Sequence, residues 1–221
     1  MKAVLFDCDG TIADSAGLIC SIMERAFSRY DITPPTPAAT RAIIGLSLET
    51  AVHTLRPSLD EAMVVQVAEG YRIEYRAERA RPDFTEALFP GMAELVRDLA
   101  RRDEVFVGMV TGKSRRGVAS LTADHGISDC FHAVRTADDC PSKPHPAMVL
   151  ECCGEFGIQP DQAVVVGDTT FDMEMAKAAG ALAVGVTWGS HSADLMRRAG
   201  ADEIVTDVAA LIGSLERFLS A

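Results

Sequence analysis

From Phe89 to the end of the chain, short apolar runs alternate with helix-spaced stretches, and this restricts the fold more than any other property of the sequence. Val105–Val110, Ala133–Thr136, Ala163–Val166, Ala181–Val186 and Glu203–Val205 read as strands. Met92–Arg101, Arg115–Asp124, Ala147–Phe156, Asp172–Ala179, Ala193–Ala199 and Val208–Leu219 read as the helices between and after them. Strands that take turns with helices pair in parallel, since each crossover helix returns the chain to the same edge of the sheet. The N-terminal run Ala3-Val4-Leu5-Phe6 is short, apolar and closed by a turn signal, as a buried parallel strand should be.

Between that first strand and Phe89 no strand candidate occurs. Leu18, Ile22, Met23, Ala26 and Phe27 give helical spacing over Ser15–Tyr30, and Asp31–Pro37 is a proline-rich break. Two short helices over Ala38–Ile44 and Leu48–Leu55, hinged at Gly45, and a long one over Leu59–Ala80 complete the segment. The expectation is an α/β fold: a doubly wound parallel (Rossmann-like) core from residues 1–13 and 85–221, with residues 14–84 inserted as an all-helical cap.

Composition narrows the partners. A hydrophobic share of 48% supplies a core, and no stretch of apolar residues is long enough to span a bilayer. A formal charge of −11 argues against nucleic acid and anionic membranes, which both require basic surface. The first residues are already strand-like, without a secretory leader, and the six cysteines show no CxxC spacing. They read as reduced thiols of a cytoplasmic protein, with Cys8 turned into the core, and no His/Cys cluster has zinc-ligand spacing. Oligomeric state has no signature in the sequence.

The C-terminal ends of parallel strands share one edge, where open α/β sheets keep their ligand crevice. Asp7 and Asp9 follow the first strand, Thr111 ends the second, and Asp168 ends the strand Ala163–Val166 with Asp172 one helical turn further. Lys143, between Ser142 and Pro144, is one of only four lysines and lies in a loop leading to a helix. Four carboxylates, a lysine and a hydroxyl make an oxygen-donor site for Mg²⁺ with a cation left for a phosphate. Gly10 permits a sharp turn and Thr11 offers a hydroxyl. The stretch Gly108–Ser114 (GMVTGKS) is similar to a P-loop but has three residues between its glycines where four are required, so nucleoside-triphosphate binding is rejected. The backbone N–H groups of Gly112 and Lys113 remain candidates for a phosphate at a helix start. Arg41 and Gly45 in the cap are candidates for substrate contact. His145 reads as a helix-entry residue; His53, His125, His132 and His191 have no evident partner, and Trp188 reads as packing.

In this order, Asp7-x-Asp9-Gly-Thr, Thr111, Lys143 and Gly167-Asp168-x-x-x-Asp172 resemble the four motifs of the haloacid dehalogenase-like hydrolase superfamily. The helical insertion after the first motif and the closing segments Val186-Thr-Trp-Gly and Ala199-Gly-Ala-Asp202 are similar to its phosphoglycolate phosphatase-like branch. The resemblance implies that Asp7 is the nucleophile forming an aspartyl-phosphate and that Asp9 is the general acid, then base. It implies Mg²⁺ held by Asp7, the Asp9 carbonyl, Asp168 and Asp172, with Thr111 and Lys143 on the transferring phosphoryl group. A small phosphorylated metabolite such as phosphoglycolate is the implied substrate, with pyrophosphate, a sugar phosphate or a nucleotide monophosphate still open. True dehalogenases lack the second aspartate, so Asp9 points to phosphate chemistry. No lysine occurs between Ile12 and Pro90, which excludes a Schiff base in the cap. A β-phosphoglucomutase-like phosphotransferase would carry a histidine and a basic residue where Ile19 and Leu48 stand. That reading and a non-catalytic binding protein on the same fold are the alternatives. A phosphoacceptor receiver domain, which shares the carboxylates and the lysine, has no insertion of this kind.

Overall fold

The computed structural model describes residues 1–221. Six strands, β1 (Lys2–Phe6), β2 (Val105–Val110), β3 (Ala133–Arg135), β4 (Ala163–Gly167), β5 (Leu182–Val186) and β6 (Glu203–Val205), form one sheet of order β3-β2-β1-β4-β5-β6. Every pairing in it is parallel. Ten helices accompany it: α1 (Ala16–Ser28), α2 (Pro37–Arg41), α3 (Leu48–Leu55), α4 (Glu61–Arg79), α5 (Met92–Ala100), α6 (Arg115–Asp124), α7 (Ala147–Phe156), α8 (Thr170–Ala179), α9 (Ala193–Arg198) and α10 (Val208–Ser220). This is the doubly wound α/β architecture expected from the alternating pattern.

The apolar character of β1 is explained by its central place. Val4 and Phe6 enter the core layer that also holds Met92, Leu99 and Leu211, while Ala3 and Leu5 enter the opposite layer with Met148 and Met173. Cys8 continues the Val4–Phe6 side and is buried, as strand alternation requires. Register then sets the site. Phe6 lies opposite both Met109 of β2 and Val166 of β4, so the residues that follow these strands emerge side by side at one edge.

Helices α1 to α4 contain no strand and pack around Met23, Phe27, Val52 and Val67. The chain enters and leaves this block at one place: Asp14 N–H donates to the Ala87 carbonyl and Phe89 N–H to the Ile12 carbonyl, each at 2.9 Å. Capping chemistry moves several helix starts from their sequence-based positions. The long helix begins at Glu61, not Leu59, because the Asp60 carboxylate accepts from Met63 N–H at 2.8 Å. Helix α8 begins at Thr170, two residues early, because Thr169 and Asp172 form a reciprocal capping box. Helix α2 stops at Arg41, short of the expected Ile44, and a turn through Gly45 (φ +101°) replaces its last residues. No helix is long and apolar enough to cross a membrane.

Candidate active site

Three carboxyl groups converge below the strand ends. Asp7 follows β1, Asp168 follows β4, and Asp172 sits in the first turn of α8; each offers an oxygen, and these lie within 4.8 Å of one another. Lys143 reaches into the cluster from the loop before α7, its Nζ 2.8 Å from Asp7 Oδ1 and 2.6 Å from Asp172 Oδ1. All four side chains are buried. Asp172 is oriented by the Thr169 hydroxyl, which donates to its Oδ2 at 2.6 Å. Asp168 accepts from the Thr11 hydroxyl at 3.1 Å and from Ser190 N–H at 2.7 Å. Its carboxyl group fits there because glycines flank it: a Cβ on Gly10 or Gly189 would fall 2.2 Å from Asp168 Oδ2.

Burial dominates the electrostatics. It pushes the Asp7 carboxyl up to about 7, against the pull of Lys143 and with further upward pressure from Asp172. Asp168 is raised well above the usual carboxylate range by burial, then by Asp7 and Asp172. For Lys143 burial alone would favour the neutral amine, but Asp172 and Asp7 outweigh it and hold the group protonated. Three carboxyl groups thus face one ammonium, and Asp7 Oδ2 meets no donor. The cluster is short of positive charge and offers only oxygen donors, so it fits a hard divalent cation such as Mg²⁺.

Asp9 stands apart from this cluster. Its carboxylate turns to a cleft between the sheet edge and the helical block, where Lys113 Nζ approaches Oδ1 at 2.8 Å. The same ammonium lies 2.7 Å from Glu86 Oε1, and the Tyr75 hydroxyl of α4 donates to Glu86 Oε2 at 2.7 Å. Nothing in the sequence marks Glu86, which lies in the irregular linker after α4 outside any periodic pattern. The cleft has a volume of about 580 Å³. Asp9, Gly112 and Lys113 form its floor, and Ile19, Met23, Leu48 and Tyr71 form its apolar walls.

Other candidates land in varied places. The Thr111 hydroxyl, buried, accepts from Lys113 N–H at 3.2 Å and keeps its own proton free to donate. That bond occupies the Lys113 amide expected to hold a phosphate, and the Ser114 side chain caps α6 by accepting from Gly117 N–H. Lys113 therefore enters the site through its side chain. Gly112 meets the helical block directly: a Cβ there would lie 2.4 Å from the Gly45 carbonyl oxygen and 2.5 Å from that of Leu46. Gly45 thus lines the cleft, whereas Arg41 is exposed at the end of α2 and does not. The Thr11 hydroxyl is committed to Asp168, and Gly10 serves the close approach of that carboxyl group. Ser47 N–H donates to Ser142 Oγ at 2.9 Å, and His191 Nε2 lies 3.3 Å from the Ala42 carbonyl, so the 42–47 loop is docked over the sheet edge. His145 accepts from Ala147 N–H at the start of α7, as a helix-entry residue would. His125 and His132 do have partners, the Glu86 carbonyl and Val107 N–H, whose positions no local pattern announces. Trp188 donates to the Thr11 carbonyl and packs against Phe89. All six cysteines are free.

The sequence profile of haloacid dehalogenase-like hydrolases matches residues 4–186. The chain belongs to the haloacid dehalogenase-like hydrolase family. "Probable phosphatase IndB" of Dickeya dadantii is 32% identical over 98% of this chain and 94% of its own length. A phosphoglycolate phosphatase of Chromobacterium violaceum is 31% identical over 96% of this chain and 95% of its own. The crystal structure of a hydrolase from Pseudomonas syringae superposes with a TM-score of 0.86 over 98% of this chain and 99% of that one, at 22% identity. That match shows that the two chains share one fold over essentially their full length.

Proposed function

We propose that this chain is a Mg²⁺-dependent phosphomonoester hydrolase that works through an aspartyl-phosphate on Asp7, with a small phosphorylated metabolite such as phosphoglycolate as substrate. The observation that carries this reading is the buried Asp7, with one oxygen against Lys143 and the other without any donor, inside a carboxyl cluster short of positive charge. Asp7, Asp168 and Asp172, with the Asp9 backbone carbonyl, would hold the cation. When bound, it would offset the repulsion between a carboxylate and a phosphate dianion.

The chain's own groups do the rest. Asp7 attacks phosphorus as the bond to the leaving oxygen breaks, and Lys143 and the Thr111 hydroxyl hold the equatorial oxygens. Asp9 gives its proton to the departing alkoxide and later takes one from the water that cleaves the aspartyl-phosphate. Residues 14–84 act as the cap, excluding bulk water while the 42–47 loop is docked. Ile19 and Leu48 present apolar walls, which favours hydrolysis over intramolecular phosphoryl transfer between sugar hydroxyls. The cleft, at about 580 Å³, accommodates phosphoglycolate and larger esters. A cytoplasmic location completes the reading.

The test is phosphate release from a panel of phosphoglycolate, sugar phosphates, nucleotide monophosphates and pyrophosphate, with Mg²⁺ or chelator. Release that requires Mg²⁺ and disappears in Asp7→Asn supports the proposal. Full activity in Asp7→Asn would show that Asp7 is not the nucleophile.

A further inference from the structure

Lys113 is a lysine that the reaction outlined above does not use, and it is held at considerable electrostatic cost. Its side chain is 8% exposed, and only strong compensation keeps a buried ammonium charged. Compensation comes from two carboxylates, Asp9 at 2.8 Å and Glu86 at 2.7 Å.

The trio is anchored on several sides. Glu86 is buried, its second oxygen accepts from Tyr75 at 2.7 Å, and its carbonyl lies 2.8 Å from His125 Nε2. The Lys113 stem packs on Gly117, where a Cβ would come within 3.0 Å of Lys113 Cγ. Lys113 thus takes hold of one Asp9 oxygen from a fixed point. Tyr75 belongs to α4, and Glu86 to the linker joining that helix to the sheet domain.

We propose that Lys113 is a positioning residue for Asp9, its ammonium fixed by Glu86 and the Tyr75 hydroxyl so that the carboxyl group meets the leaving-group oxygen. The inference rests on the phosphatase reading. In the first step, with Asp9 Oδ1 accepting from Lys113 and Oδ2 carrying a proton in the ester complex, the Asp7 oxygen bonds to phosphorus, the bond from phosphorus to the ester oxygen breaks, and the Oδ2 proton passes to that oxygen. A neutral alcohol leaves. In the second, Asp9 takes a proton from the water whose oxygen bonds to phosphorus, and the bond to Asp7 breaks. Both transfers need the Asp9 oxygen at hydrogen-bonding distance from the reacting oxygen, and Lys113 sets its direction. Because Tyr75 comes from the helical block, that direction also depends on the block being docked.

Leaving-group chemistry separates this role from a structural one. Ethyl phosphate needs a proton on its departing oxygen, whereas p-nitrophenyl phosphate releases a stable phenolate. The value of kcat/KM covers steps through leaving-group departure, so the ratio of the two esters reads proton delivery. Lys113→Met is expected to lower the ethyl to p-nitrophenyl ratio about tenfold or more, a fraction of what general acid catalysis supplies. Lys113→Arg should restore part of it, and Tyr75→Phe should lower it in the same direction. An equal loss on both esters would overturn the proposal. If Lys113→Met does not fold, Tyr75→Phe decides, and a wild-type ratio in that variant overturns it. A wild type that releases phosphate from neither ester, with Mg²⁺ and in no excess over Asp7→Asn, would refute the phosphatase reading and this inference with it.

Discussion

Lys143→Met removes the single cation from the carboxyl cluster while keeping nearly the same shape. Lys143 is fully buried, 2.8 Å from Asp7 and 2.6 Å from Asp172, so no water replaces its charge. Breaking a buried ion pair by removing one partner costs about 3–5 kcal/mol. Against a typical domain stability of about 5–15 kcal/mol, the variant should remain folded but weakened. For a chain of this size about 2–4 °C of melting temperature accompanies each kcal/mol, giving a fall of roughly 6–20 °C. The assay is thermal melting followed by circular dichroism in chelator. Acidification supplies a second reading. Burial already pushes Asp7 up to about 7 with Lys143 in place, and losing the ammonium pushes it further. Protonation neutralises the stranded carboxylates, so the gap from wild type should narrow as pH falls from 8 to 6. A variant that melts within about 2 °C of wild type, at most about 1 kcal/mol on that scale, would refute this account of the cluster. A gap that widens on acidification would do the same.

Divalent cation should raise the melting temperature of the wild type, by about 2.7 kcal/mol of stability at a hundredfold excess over Kd, and far less in Asp168→Asn, as differential scanning calorimetry would show. In chelator, Asp7→Asn should gain on the wild type as pH rises from 5 to 8. A carboxyl group with a folded pKa above its unfolded value contributes most when protonated and loses that contribution through about 7, whereas asparagine does not titrate. Urea melts at several pH values measure the difference. Gly112→Ala places a methyl group 2.4 Å from the Gly45 carbonyl oxygen. It should lift the 42–47 loop, speed hydrogen exchange of its amides, and lower kcat/KM by about ten- to a hundredfold through misplacement of the substrate.

The parts of the fold legible in the sequence are those with local causes. The strand β2, Val105–Val110, and the helices α3, α6 and α7 have the expected bounds because their apolar spacing and flanking residues agree. Helix starts shifted at Leu59 and Asp172, where a side chain three residues away decides which amide is capped. Asp7, Thr111 and Asp168 could be placed together because parallel strands must end on one edge, whatever lies between them in sequence. Lys143 came with its motif. The Lys113 side chain could not be read in this way. Its partners Asp9 and Glu86 lie 104 and 27 residues away, and Glu86 sits in a linker with neither periodicity nor motif. Arg41 illustrates the reverse. A cationic residue near a glycine hinge invites a ligand reading, but the end of α2 turns it to solvent.

The place of β1 in the sheet has a consequence for how the protein is made. This strand is translated before β2 and β4, which are its two neighbours in the sheet. Its second edge is covered only after Gly167 has been translated, on the order of 10–30 s later at about 5–20 residues per second. Helices α1 to α4, with an apolar centre of their own, are complete long before then and can collapse locally. During this interval the β4-facing edge of Ala3 to Phe6 is an unpaired apolar edge, open to wrong pairing. Asp7 is therefore made well before the second edge of its strand is covered.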